Sequence, residues 1–338
     1  MKNITNPLFY FGPMSINIVD AVCEFYNNQT YNVGFIPSRR QVECKSLGSG
    51  YVNGWSSESF SKYVKDKNIG IVIERDHSGP LQGLKNDDGT ESLLADIDSK
   101  FDIIHIDPWK KFKSVERAAD VTSSLIKMCI EKNTDCMFEV GTEEGIRKYS
   151  AQELEYFLTI IEKDLGKSFS QILYGVVQSG TNVSGLSNTG KFNFKNSKEM
   201  CKVCTKFGLI PKEHNSDYLS VSEIKERMSA GVESFNIAPE MGVLETTTIL
   251  NKLKELKLEE RRNELIALCV NSQKWKKWVE GMNTMPDDET IARICGHYIF
   301  SSSEFINIKS DLSRYASIDV DIKNAIKSRL EVLSCLEK

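Results

Sequence analysis

Short apolar runs, each closed by polar residues and usually by a glycine or proline, recur along the first two-thirds of the chain. The densest is Asn68-Ile-Gly-Ile-Val-Ile73, which ends at Glu74-Arg75-Asp76-His77-Ser-Gly-Pro80. Further runs of this design are Asn32 to Pro37 before Ser38-Arg39-Arg40; Ile103 to Asp107; Cys136 to Val140 before Gly141-Thr142-Glu143; Ile172 to Val177 before Gln178-Ser179-Gly180-Thr181; Gly208 to Lys212 before Glu213-His214; and Ser234 to Ala238 before Pro239-Glu240. Runs rich in Val, Ile and Phe, without polar alternation, are what strands buried on both faces require.

Their starts lie 26 to 37 residues apart, room for one strand, one helix and two loops. Between them, Val115 to Ile130, Ala151 to Leu165, Ser197 to Phe207 and Val221 to Ala230 carry apolar residues at helical spacing, as does Met14 to Asn28 near the start. Ser150-Ala-Gln-Glu153 is a capping-box pattern at a helix start. Consecutive strand–helix units joined by right-handed crossovers predict an α/β fold, a TIM (β/α)8-type barrel, and no G-x-G-x-x-G follows the first run to suggest a dinucleotide fold. Residues 1 to 13 read as an entry segment and Gly296-His-Tyr-Ile-Phe300 as the eighth strand. Leu244 to Val270 reads as one long helix with a solvated charged face, and Asp319 to Leu336 as a closing helix. Residues 1–338 are thus expected to form one barrel domain, with 246–338 a helical extension packed on it. The glycine-rich loop Ser46 to Trp55 is either a place where backbone passes close to a ligand or a plain surface loop.

Composition narrows the partners. At 338 residues, 40% hydrophobic, 27% charged and net −4, the chain can bury a large core and has no basic run to hold nucleic acid. Nine cysteines lack framework spacing, and Cys201 and Cys204 have no second pair to complete a zinc motif. Reduced thiols, no apolar run of membrane length and no signal-like start lead us to expect a cytoplasmic protein without membrane contact.

In such barrels the strand ends share one mouth. Of the four histidines, His77, His105 and His214 fall at predicted strand ends, while His297 reads as structural. Asp76, Asp107, Glu139, Glu143, Glu213, Asp217 and Glu240 accompany them. Two imidazoles and a carboxylate with an open position suit Zn²⁺ or a similar ion, and an ion-pair network with Arg39, Arg40, Arg75 and Lys212 is the competing reading. Gln178 to Thr181 and Gly185 to Gly190, with Arg39 and Arg40, read as an anion site of hydroxyls and glycine amides. Lys212 is an alternative nucleophile for a Schiff base.

Asp76-His77-Ser-Gly-Pro80, Ile104-His105-Ile-Asp107, Glu139-Val-Gly-Thr-Glu143, Val177-Gln178-Ser-Gly180, Glu213-His214-Asn-Ser-Asp217-Tyr218 and Asn236-Ile-Ala-Pro-Glu240 together resemble the family of the class II D-tagatose-1,6-bisphosphate aldolase subunit usually called non-catalytic, over residues 30–245. That family is more distantly similar to zinc-dependent class II ketose-bisphosphate aldolases, and the resemblance implies their barrel. It also implies that Asp76 moves a proton, that His77 and His214 are zinc ligands, and that Asn236 binds the ketose phosphate part of the substrate. Gln178 stands where those enzymes place a further zinc histidine, which leaves two alternatives, Glu139, Glu143 or His105 as the substitute ligand or no zinc site at all, and Asn215-Ser-Asp217 replaces a phosphate-binding Gly-Ser-Gly. The resulting expectation is a divalent metal, zinc foremost, on His77, His214 and Glu139. Asp76, Glu143 and His105 would be catalytic, and Arg39, Arg40, Gln178, Ser179, Gly180, Thr181, Asn215, Asp217, Asn236 and Glu240 would bind substrate. The activity expected is an aldolase-type lyase on a phosphorylated or nucleotide-linked sugar. The alternatives are a sugar-phosphate isomerase or epimerase, or a scaffold subunit that stabilises a separate class II aldolase. The partners expected are thus a sugar phosphate and either an aldolase subunit or further copies of this chain.

Overall fold

Phe9–Phe11, inside the expected entry segment, is the strand that closes the barrel: it pairs in parallel with Ser234–Ile237 on one side and Val33–Phe35 on the other. The computed structural model describes residues 6–27, 33–68, 70–282 and 284–336; the predicted strand starts Asn32 and Ile69 and the predicted helix end Asn28 lie outside them. In chain order the elements are β1 (Phe9–Phe11), α1 (Ile16–Tyr26), β2 (Val33–Phe35), α2 (Ser57–Lys67), β3 (Val72–Ser78), α3 (Thr90–Asp98), β4 (Ile103–Ile106), α4 (Val115–Lys132), β5 (Met137–Val140), α5 (Ala151–Leu165) and β6 (Ile172–Val177). A hairpin, β7 (Val183–Ser184) and β8 (Ser187–Asn188), precedes α6 (Phe194–Lys206), β9 (Ile210–Glu213), α7 (Val221–Ala230), β10 (Ser234–Ile237) and α8 (Pro239–Glu255). Strands β1 to β6, β9 and β10 form a closed eight-stranded parallel barrel, the expected α/β TIM type.

The helices form where the sequence pattern places them. In α5, Ser150 accepts from the Glu153 amide while Glu153 returns a bond to Ser150, and Leu154, Phe157, Leu158, Ile161 and Leu165 make one buried stripe. Each such side chain stabilises by roughly 1.5–3 kcal/mol on burial, so the stripe outweighs the cap, worth about 1 kcal/mol.

Two expectations are corrected at the C-terminal side. Gly296–Tyr298 is a turn of 3-10 helix, not a strand, because Gly296 is pressed against the Thr246 side chain of α8 and leaves no edge to pair. The long helix also breaks: Lys257 takes φ 58, and α9 (Glu259–Ser272) starts afresh, followed by α10 (Asp288–Cys295), α11 (Ser303–Leu312) and α12 (Ile318–Ser334). Helix α12 packs on α1 and α8.

Barrel strands alternate between inward and outward side chains. At the centre this gives a polar layer rather than an aliphatic one. Lys212, fully buried, donates to Glu74 at 2.5 Å and Glu139 at 2.8 Å, with the Tyr10 ring 3.8 Å away and the Tyr174 ring 4.7 Å away. Gly34 is the inward residue of β2 at this level, and any Cβ there would run into the Tyr10 ring.

Candidate active site

The three strand-end histidines meet. Ring centroids of His77, His105 and His214 are 4.9, 5.3 and 5.1 Å apart pairwise. Asp76 Oδ1 lies 3.5 Å from His77 Nε2, 3.8 Å from His105 Nδ1 and 3.7 Å from His214 Nδ1. These four donor atoms fall within 4.8 Å of one another, the convergent group among the described residues that suits a metal ion.

A strand cannot aim two successive residues into one cavity, yet Asp76 and His77 both border it. The register between β3 and β4 slips between Arg75 and Ser78, and His77 takes φ 44. This bulge turns His77 back toward the mouth while Arg75 still points outward to Asp96 at 2.6 Å. The left-handed backbone at a histidine is the strain expected where structure is shaped for chemistry.

Each imidazole is oriented from behind. His77 Nδ1 is 2.6 Å from Asp107 Oδ2, which also accepts from Thr142 Oγ1 at 2.9 Å, while Asp107 Oδ1 accepts from the Trp109 amide at 3.0 Å. His105 Nε2 is 3.1 Å from the Gly141 carbonyl, and His214 Nε2 is 2.6 Å from Glu139 Oε1. A neutral ring whose N–H is directed outward has its lone pair on the inner nitrogen, the arrangement of metal-binding histidines; in His105 that nitrogen, Nδ1, accepts from the His77 amide at 3.3 Å.

Charge follows this geometry. Burial pushes the Asp76 carboxyl up, but His77, His105 and His214 override it and bring it down to about 2. Burial works against the His77 imidazolium, yet Asp76 and Asp107 raise it to about 10. In the polar layer, burial and the Glu139 charge raise Glu74, whereas Lys212 and the histidines overcome burial and hold Glu139 ionised.

The other expected site residues divide. Arg40, Glu143, Asn215, Asp217 and Asn236 border the same cavity of about 200 Å³ as Asp76, His77 and His214. Glu143 accepts from Asn215 Nδ2, and Asn236 Oδ1 is buried without a partner. Glu139 sits one layer behind the histidines, its two oxygens taken by His214 and Lys212, so it is not in the donor group expected for it; His105, expected as a proton carrier, is. Arg39 is buried away from the mouth on Glu43 and Asp87, each at 2.8 Å. Glu240 is paired with Arg329 of α12 at 2.7 Å.

The expected anion loop is already bonded to protein. Gln178 spends its amide on Tyr149, Thr142 and Arg147 backbone, Ser179 donates to Glu213, Thr181 to the His214 carbonyl at 2.8 Å, and the Gly180 amide to Glu144 at 2.8 Å. A carboxylate on that amide repels a phosphate. Gly185 bonds instead to the Trp278 carbonyl at 2.8 Å, tying the C-terminal segment over the mouth. Lys277, Trp278 and Tyr298 from that segment line the cavity, and no strand-end pattern could have found them. Lys212, held by two carboxylates, is not a free amine, and Cys201 and Cys204 are simply buried on α6. His297 is buried with neither ring nitrogen bonded, outside the lining of the cavity. No helix among the described residues is long and apolar enough to cross a membrane.

Neither a protein-family model nor a curated protein matches the chain. Among solved structures, a probable tagatose 6 phosphate kinase from Sinorhizobium meliloti 1021 is similar at TM-score 0.79 and 13% identity, over 97% of this chain and 99% of that one. The fructuronate-tagaturonate epimerase of Cohnella laeviribosi is similar at TM-score 0.64 and 12% identity, over 97% and 81%. Fructose-bisphosphate aldolase from Campylobacter jejuni follows at TM-score 0.56 and 15% identity, over 98% and 91%. Across nearly its whole length the chain therefore has the barrel fold of these proteins, as the resemblance in sequence implied.

Proposed function

We propose that this chain is a divalent-metal-dependent enzyme acting on a small sugar next to its carbonyl, foremost an aldolase-type lyase. The observation that carries the reading is the triangle of imidazoles, each anchored by its outer nitrogen with the inner one within 3.8 Å of Asp76 Oδ1. That oxygen is buried and has no donor, so the residues fit a cation. His77, His105 and His214 would hold it, with Asp76 beside them, and a nitrogen-rich set of this kind suits Zn²⁺. Such an ion, when bound, supplies Lewis-acid polarisation of a carbonyl.

The side chains supply the rest. Asp76, ionised on the cavity floor, accepts the proton of the hydroxyl on the carbon two removed from the carbonyl. The bond between that carbon and its neighbour breaks, the electron pair stays with the carbonyl fragment, and a proton returned from Asp76 quenches it. Glu143, fixed by Asn215, and Asn236 Oδ1 accept hydroxyls of the sugar and set its position. The cavity, about 200 Å³, is below the roughly 300–1,000 Å³ of drug-sized sites, which favours one small sugar over a nucleotide-linked one.

A second reading is epimerisation, in which a proton leaves and returns without bond cleavage. The Gly180 amide held by Glu144 favours it, because that carboxylate stands where the expected loop would take a phosphate. Elemental analysis of purified protein tests the common core: about one metal per chain is expected, lost in His77→Ala and His214→Ala. Metal-free protein that copurifies with an aldolase would instead support the scaffold role. Solvent deuterium entering recovered sugar without cleavage products would select epimerisation.

A further inference from the structure

The cavity is polarised. Its floor carries Asp76, Glu143 and Asp217, while Arg40 and Lys277 border it from the loop after β2 and from the C-terminal segment. Neither cation has a carboxylate partner among the described residues. The more buried cations nearby are neutralised, Arg39 by Glu43 and Asp87, Arg75 by Asp96 and Arg329 by Glu240, whereas Arg40 and Lys277 stand exposed at the rim with their charge uncommitted.

The segment that brings Lys277 is held in place. The Trp278 carbonyl accepts from the Gly185 amide at 2.8 Å and from Ser184 Oγ at 3.2 Å. Gly185 has φ 58, and a Cβ there would approach Met282 Cε to 2.6 Å, so the β7–β8 hairpin is shaped to seat this segment. Lys277 Nζ lies 4.3 Å from the Trp278 ring and 5.5 Å from the Tyr298 ring, which position the ammonium without neutralising it. Trp278, also on the cavity wall, keeps its Nε1–H buried with no acceptor. A buried donor without a partner is costly unless a ligand completes it.

We propose that Arg40, Lys277 and the Trp278 indole N–H form a subsite for the anionic end of the substrate, a sugar carboxylate or a sugar phosphate, supplied largely by the C-terminal extension. This deepens the function proposed above and rests on its assignment of the acidic floor to the carbonyl end. The unpaired cations draw an anion to their side of the cavity, so the charge pattern fixes which way round the sugar enters. It also gives the hairpin after β6 a different part: it seats the segment that carries Lys277 and Trp278.

Calorimetric titration of the full-length chain with D-fructose 6-phosphate, D-fructuronate and D-fructose, with and without Zn²⁺, tests this. At least one anion should bind about tenfold or more tighter than D-fructose, as expected for charge-assisted bonds. Arg40→Ala and Lys277→Ala should each remove roughly tenfold of that affinity and leave D-fructose unchanged, Lys277→Arg should keep most of it, and Trp278→Phe should weaken the anions selectively. Both cations are exposed enough for the variants to fold, which melting curves verify. The preferred anion tells carboxylate from phosphate. Equal binding of neutral and anionic sugars, no binding of either anion, or unchanged anion affinity in both alanine variants would overturn the proposal. Metal content is read separately, so wild-type protein that discriminates anions yet holds no metal would sink the metal reading and not this one.

Discussion

His77 Nδ1 and Asp107 Oδ2, from the ends of neighbouring strands, lie 2.6 Å apart, and that contact decides which nitrogen of His77 faces the cavity. Asp107→Asn keeps the shape but can present an amide N–H to Nδ1, driving the ring proton to Nε2, where the lone pair is needed. Metal affinity should fall roughly 10–100-fold, the usual cost of losing such an outer partner, with folding intact. Competition against a chelator measures it; an unchanged affinity would remove His77 from the ligand set.

The bulge at His77 gives a prediction separable from the metal. With φ 44, position 77 suits glycine, and an L-residue there costs about 1–2 kcal/mol. His77→Gly and His77→Ala should both lose metal, but the glycine variant should be more stable than the alanine one by about 1 kcal/mol in urea unfolding. Equal stabilities would mean that the backbone relaxes when the ring is lost, and that the ring's contacts maintain the bulge.

Lys212 is predicted to be structural. Replacing it by Met leaves Glu74 and Glu139 buried without their cation, which should cost roughly 3–5 kcal/mol. Borohydride reduction in the presence of a ketose should leave Lys212 unlabelled in the native enzyme. A labelled Lys212 in peptide mapping would revive the Schiff-base alternative.

These residues also show what the sequence could and could not disclose. The apolar runs located seven barrel strands because burial on both faces leaves a mark in composition. Phe9–Phe11 is three residues long, and its pairing with β2 and β10 is a matter of closure, which no local pattern records. Gly296 to Phe300 had the composition of a strand but lies packed against α8. Position along a strand sets depth, so Glu139 and His214, both read as strand-end ligands, fall in different layers. The residues of the anion loop had the right chemistry, yet tertiary contacts spend the Gln178, Ser179 and Thr181 side chains and the Gly180 amide. Lys277 and Trp278 reach the mouth from a segment whose path depends on the hairpin after β6.

His297 gives the last test. It is buried, neither ring nitrogen has a partner, and burial, reinforced by Lys277, lowers its pKa to about 3. In the unfolded chain the ring titrates near 6.5. Between these values the unfolded state binds a proton that the folded state refuses, so stability is full above about pH 6.5 and is lost as the pH falls toward 3. From pH 7 to pH 4 the loss from this one group is about 3 kcal/mol. His297→Leu removes it, so the variant should lose about 3 kcal/mol less than wild type over that range in urea unfolding, whatever its stability at pH 7. Parallel acid limbs for the two proteins would mean that the folded state admits the proton, which requires the ring to move out of its place beside Tyr298, 4.0 Å between centroids, and shift a wall of the cavity.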